Sequence, residues 1–330
     1  MSVLLLLMTL TIDEASLRAG ESVNGFPSWE ERVLHQWINR ARVDPQAELA
    51  NCAACADKAC YSAKAPLFWS GALNRAARFH ADEMQKQGYF GHDSKCVVVN
   101  NINSLYPTGC DGAASCACTG GSLTCAMGGC TSWAGRIGLF GAGPEGEIIV
   151  TGRDPNTAFY LWLFEPANAS VCTFTGQNGH RWLILNAFGG LGAGVAASSV
   201  VDFGNATPAS KIASAAHYPG QADSVEVWAN WYDNSPPRSA SVVVDGQCTP
   251  MTLRRGTQTN GAWSANVTGM GSGCHRYYIV FTDASSAQVT WPATGSLGIG
   301  PQSCADWNSS RTLGSCSTSG VKSKRRSVKR

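Results

Sequence analysis

Val33, Leu34, Trp37, Ile38 and Ala41 recur at helical spacing, and Ser28 followed by Glu31 forms a capping-box pattern, so a helix is predicted to begin at Ser28. Asp44-Pro45 interrupts or restarts it. A second helix is predicted over Gly71 to Gln87, with Leu73, Ala76, Ala77, His80 and Met84 on one face and Gly88 as its C-cap. His80 falls on the buried stripe and reads as a hydrogen-bonded core histidine rather than a ligand. Asp154-Pro155 starts a third helix with Pro at its first position; Ala158 to Glu165 fill it and Pro166 ends it. Gly179 to Leu185 reads as a turn entering an apolar run. Gly190 to Ala197 alternates Gly with small apolar residues, which suits a central strand approached closely by neighbouring backbone. From Cys96 to Gly143 no period is sustained, so the segment reads as a surface insertion held by bridges rather than a core, with no regular structure assigned.

The stretch 204–218 is small, polar and Pro-punctuated and reads as a linker. Beyond it the period changes to two, through Val225, Val227, Ala229 and Trp231, then Val242 and Val244, Trp263 and Ala265, and His275, Tyr277, Ile279 and Phe281. Asp245-Gly246 and Asn260-Gly261 supply turns. Short strands at regular spacing without helices predict an all-β sandwich of immunoglobulin or fibronectin type over 219–302. Residues 303–330 read as a Cys-containing basic tail, and 1–27 as a signal or leader segment, since Val3 to Leu10 has the length of a signal-peptide core and is too short to span a bilayer.

Composition sharpens this picture. At 330 residues with 44% hydrophobic content the chain can bury two cores. Its net charge of +2 depends on Lys322, Lys324, Arg325, Arg326, Lys329 and Arg330; without them the body is mildly acidic and has no basic stripe, which argues against a nucleic-acid binder. The tail reads as a solvated end. Fourteen cysteines imply up to seven bridges and an oxidising compartment, hence a secreted or cell-surface protein. Cys248 with Cys274, and Cys304 with Cys316, are the pairings expected in the second half. Cys52-Ala-Ala-Cys55 lacks the partners of a zinc site and reads as a structural disulfide.

Four ionisable residues sit in Gly- or aromatic-punctuated signatures: His92 in Gly-Tyr-Phe-Gly-His-Asp, Glu147 in Gly-Glu-Ile-Ile, Glu165 closing Trp-Leu-Phe-Glu, and His180 in Asn-Gly-His-Arg. Spacing alone does not join them. The order Asn39-x-x-Arg42, Pro66-Leu67-x-Trp69, the Ala-rich helix with His80, Gly-x-Phe-x-His92, Gly146-Glu147, Trp162-x-x-Glu165 and Gly179-His180-Arg181 resembles the CAP superfamily of cysteine-rich secretory, venom-allergen and pathogenesis-related proteins and bacterial SCP-like domains.

The resemblance runs from about Trp29 to Ala197, within a domain taken as 28–203 with its Cys-rich insertion at 96–143. It implies an α+β fold, an α-β-α sandwich with an open cleft where His92, Glu147, Glu165 and His180 converge as the family's tetrad. It also implies that His92 and His180 could hold a divalent metal such as zinc, with Glu147 and Glu165 supporting, although no cofactor is required. Ile148 stands where the family usually has Asn, which makes Glu145 the fallback for Glu147.

The leading expectation is a secreted binding module for a lipid, peptide or carbohydrate ligand, with no transmembrane segment. Trp228, Trp231, Trp263 and Trp291 would stack sugars if exposed, but core positions suit them better. The second expectation is a metal-assisted peptidase or esterase using the tetrad. It lacks a Gly-x-Ser-x-Gly elbow or a His-Glu-x-x-His motif. The third is a structural cell-surface adhesion protein.

Overall fold

The computed structural model describes residues 27–121, 130–301, 303–314 and 316, so the leader 1–26 and most of the basic tail lie outside the described residues. The fold is mixed α+β. Helix α1 (Trp29–Val43) starts where Ser28 accepts the Glu31 N–H and the Glu31 carboxylate accepts the Ser28 N–H at 2.8 Å. The chain restarts at α2 (Pro45–Glu48), capped by Asp44. Strand β1 (Phe68–Trp69) leads into α3 (Gly71–Gln87), which ends at Gly88 with φ of +67°. Short helices α4 (Ile102–Leu105), α5 (Ala114–Ala117) and α6 (Trp133–Leu139) precede β2 (Gly146–Thr151). Helices α7 (Pro155–Leu163) and α8 (Gly179–Leu185) and strands β3 (Gly190–Val195) and β4 (Ser198–Gly204) follow. The segment 179–185, expected as a turn, is helical.

These strands form one sheet in the order β1-β3-β4-β2, with β1 parallel to β3 and the other pairs antiparallel. Alternation along β2 assigns its two faces. Ile148 packs with residues of α1, α7 and α8, whereas Ile149 packs with Ala77, Ala81 and Met84 of α3. Helix α3 lies so close to β3 that a Cβ at Gly192 would come within 2.0 Å of the Asn74 nitrogen, and one at Gly194 within 2.2 Å of the Arg78 nitrogen. The alternating glycines are what allow helix backbone to sit on strand backbone.

The insertion after Cys96 departs from expectation. It has its own helices α4, α5 and α6, and Val98, Ile102, Tyr106, Ile137 and Phe140 form a buried cluster with Leu73, Ala76 and Phe79 of α3. The apolar residues are too few and irregular to show a period, yet α3 offers them a second face.

The second half is all β. Strands β5 (Ile212–Tyr218), β6 (Ser224–Tyr232), β7 (Ser239–Val244), β8 (Gln247–Pro250), β9 (Thr252–Gly256), β10 (Asn260–Thr268), β11 (His275–Thr282), β12 (Gln288–Trp291), β13 (Ser296–Ile299) and β14 (Trp307–Asn308) make two sheets. One runs β5-β6-β10-β9 and the other β14-β13-β11-β7-β8, with β12 paired to β11. Val227, Trp231, Val242, Tyr277 and Phe281 are among the residues of their shared core. The stretch 204–218 is therefore not a free linker: its second part is β5, and Ala216 contributes to the core built around α1. The polar composition misleads because this seam is itself polar. Asn39 donates to Ser214 Oγ at 3.0 Å, Ser214 Oγ donates to Gln36 Oε1 at 2.9 Å, and the buried Arg32 guanidinium pairs with Asp306. Part of the expected tail is also structured, through β14 and Asp306.

Six disulfides join described residues: Cys52–Cys55, Cys60–Cys172, Cys96–Cys118, Cys110–Cys116, Cys248–Cys316 and Cys274–Cys304. The pairing expected in the second half is corrected. His275 opens β11 opposite Ile299 of β13, so Cys274 meets Cys304 just beyond β13, and Cys248 on the opposite edge strand β8 takes Cys316. Strand neighbours, not sequence neighbours, decide the bridges. Among the described residues no helix is long and apolar enough to cross a membrane.

Candidate functional site: two histidine–glutamate pairs

The structure joins the four singled-out residues two by two. His92 Nδ1 lies 2.8 Å from Glu147 Oε1, and His180 Nδ1 lies 2.7 Å from Glu165 Oε2. The fallback Glu145 is exposed, and its backbone N–H donates to the Phe203 carbonyl. With each carboxylate accepting, the ring proton sits on Nδ1, and Nε2 has no hydrogen-bond partner among the described residues. Both imidazoles reach solvent, with side chains 47% and 36% exposed, whereas Glu147 beneath His92 is buried.

Glu147 belongs to a buried charged cluster between the sheet and α3. Its Oε2 takes a hydrogen bond from the fully buried guanidinium of Arg136, which also donates to the His92 carbonyl at 2.8 Å and to Ser94 Oγ at 3.1 Å. Ser94 in turn donates to Glu83 Oε1 at 2.6 Å. His80, completely buried, donates from Nε2 to the Gly91 carbonyl and has Nδ1 2.7 Å from Glu83, as a core histidine should. Burial alone would push the Glu147 carboxyl up; the Arg136 charge and the His92 hydrogen bond outweigh it and bring it down to about 2.

The second pair is held from the other layer. Glu165 Oε1 accepts the Arg181 N–H at 2.9 Å, and the buried Arg181 guanidinium donates to the Leu163 and Glu165 carbonyls while pairing with Asp57 at 2.7 Å. Arg181 thus ties the end of α7 to the start of α8.

No hydrogen bond or ion pair links one pair to the other among the described residues. Leu183 of α8 packs on the face of β2 at Gly146, opposite to the face that carries Glu147, so the elements holding the pairs lie on different sides of the sheet. Among the described residues no group of three or more His, Cys, Asp or Glu side chains is placed to hold a metal ion. Both carboxylates are already committed to hydrogen bonds, and one free imidazole nitrogen per pair falls short of the three or four protein ligands zinc takes. The donor set that a shared zinc site needs is not assembled among the described residues. In a zinc titration of the chelator-washed protein followed by histidine NMR, His92→Ala should leave the His180 response unchanged. A response lost at both histidines together would restore a shared site.

Two cavities of about 390 and 370 Å³ lie elsewhere, the first beside Trp29, His217 and Asp306 and the second beside Phe68, Lys211 and Tyr232. Trp228, Trp231 and Trp291 are buried and Trp263 packs against the core of the paired sheets, so they form no sugar-stacking platform. Sequence reasoning missed Arg136, Glu83, Ser94 and Asp202. Glu83 three residues after His80, and a charged Asp202 inside the apolar run of β4, were the available signals.

No known protein-family profile matches the chain, and no curated protein matches it. Among solved structures, the type III pullulan hydrolase from Thermococcus kodakarensis is similar at 16% identity and a TM-score of 0.19, over 28% of this chain and 14% of that one. A likeness that slight carries no argument about fold or activity.

Proposed function

We propose that the chain is an exported binding protein of the CAP superfamily, with an immunoglobulin-like sandwich as its second half, that takes an apolar extracellular ligand bearing a hydrogen-bond donor, such as a lipid alcohol or an apolar peptide. The observation that carries this reading is the repeated pattern at His92 and His180: Nδ1 tied to a carboxylate, Nε2 open, and an exposed phenylalanine close by. Phe90 stands two residues before His92, and Phe174 packs on Gly179 next to His180. An imidazole fixed through Nδ1 presents Nε2 as an acceptor, and the rings supply apolar surface beside it. Six disulfides support the extracellular reading.

The test uses dodecanol and an apolar hexapeptide as probes in NMR titrations of the full chain. Phe90→Ser and Phe174→Ser should each weaken the binding at their own pair about fivefold, roughly 1 kcal/mol of lost apolar contact. Affinities unmoved by both changes would refute the reading.

A hydrolase remains the second reading, because a histidine oriented by a carboxylate is two-thirds of a Ser-His-Asp arrangement. It runs out at the nucleophile: no hydroxyl or thiol is bonded to either Nε2 among the described residues, and Ser94 serves Glu83. Ester or peptide cleavage that disappears in Glu147→Gln or Glu165→Gln would favour it.

A further inference from the structure

We propose that Asp202 is a positioning residue of the His92–Glu147 pair, present as a neutral carboxylic acid whose hydroxyl donates to the Glu147 carboxylate and holds it toward His92. The placement comes from the sheet register. Asp202 of β4 is the direct cross-strand partner of Glu147 on β2 and of Gly192 on β3. Directly opposed residues of an antiparallel pair present side chains on one face with Cβ atoms roughly 5 Å apart. That face is the one on which α3 lies, because a Cβ at Gly192 would run into the α3 backbone.

Asp202 is fully buried, and neither of its carboxyl oxygens receives an N–H or hydroxyl from a described residue. The groups around it are Glu147 on β2 and Arg136 on α6, with Glu83, His80 and Tyr89 contributed to the same cluster from α3 and its end. Arg136 is already hydrogen-bonded to Glu147, and among the described residues no second cation acts on Asp202. Two adjacent buried carboxylates sharing one guanidinium would repel; one proton between them removes the repulsion and supplies the donor that Asp202 otherwise lacks. Burial, with Glu147 opposite, drives Asp202 well above the usual carboxylate range, while Arg136 opposes this.

The proposal deepens the reading of the His92 site, but its test needs no ligand, so its failure is separable from failure of that reading. Full-length protein carrying ¹³C-labelled aspartate carboxyls is observed by NMR, with Asp202 assigned by its loss in Asp202→Asn. The expected Asp202 signal at pH 7 is that of a protonated acid; a carboxylate signal overturns the proposal. The second readout is the NMR signal of the His92 Nδ1 proton hydrogen-bonded to Glu147. Asp202→Asn keeps a neutral donor and should keep that signal, whereas Asp202→Val removes the donor and should lose it with the fold intact. Equal behaviour of the two variants, whether signal kept or lost, also overturns the positioning role, and the carboxyl signal of the unmutated protein decides the protonation state even if Asp202→Val does not fold.

Discussion

Replacing Arg136 with methionine is expected to cost about 3–5 kcal/mol at neutral pH, measured by denaturant unfolding, because it removes the cation from a buried cluster and leaves its acids behind. Methionine keeps much of the volume, so packing loss is a minor part of the effect. What is lost is the partner of Glu147, the hydrogen bonds to His92 O and Ser94 Oγ, and the charge that offsets Glu83. The pH dependence carries the signature. Glu147 has an ordinary value of 4.5 and is held down to about 2 in the folded protein, so its pairing stabilises fully above about 4.5 and is lost as pH falls through about 2. The difference between wild type and Arg136→Met should therefore be widest above pH 4.5 and shrink toward pH 2. A gap that does not vary with pH would mean that Arg136 matters for packing alone.

Gly192→Ala is expected to cost about 3 kcal/mol or to abolish folding, although alanine is otherwise the mildest substitution. The added Cβ would lie 2.0 Å from the Asn74 nitrogen and 2.3 Å from the Leu73 carbonyl carbon, and both belong to helix backbone that has no rotamer to move. Helix α3 would have to lift from β3, opening the layer that buries Ala77, Ala81, Met84 and the Arg136 cluster. The control is Gly176→Ala, where nothing lies within 4 Å of the new methyl and the change should stay within about 0.5 kcal/mol. A Gly192→Ala variant as stable as that control would refute the close packing of α3 on the sheet. Its effect should also reach the site, because Glu147 and Asp202 project toward the same helix.

Several elements are fixed by local chemistry and are legible along the chain for that reason. The capping box at Ser28, the Asp44-Pro45 restart and the span of α3 up to Gly88 depend on side chains within one turn of one another, and they stand where the pattern put them. The alternating glycines of β3 were legible for a related reason: a missing side chain at every second position has few uses other than backbone approach. The pairs His92–Glu147 and His180–Glu165 were only half legible. The residues could be singled out and their grouping came from resemblance, but which carboxylate each histidine meets was decided by the fold.

Other misses share one cause. The insertion lacks a period because apolar side chains such as Val98, Ile102, Tyr106, Ile137 and Phe140 pack on α3 rather than on each other alone. The polar stretch at 204–218 looks like a linker because β5, with its neighbour β6, faces α1 through Ser214 and Asn230 against Gln36 and Asn39, a seam made of amides and hydroxyls. The disulfides of the second half follow strand order across a sheet, which sequence distance does not encode.

The chain alone thus determined the helices with their own caps, the glycine strand, the change of period that opens the all-β half, and the covalent character of an oxidised, cysteine-rich protein. Only the tertiary structure decided which acid faces which base, which cysteine finds which, and that Asp202 lies across from Glu147 beneath Arg136. Periodicity and capping act over a few residues, so they are written locally. Burial, register and desolvation depend on what the rest of the molecule places opposite, and for a buried charge that neighbour determines whether it is ionised at all.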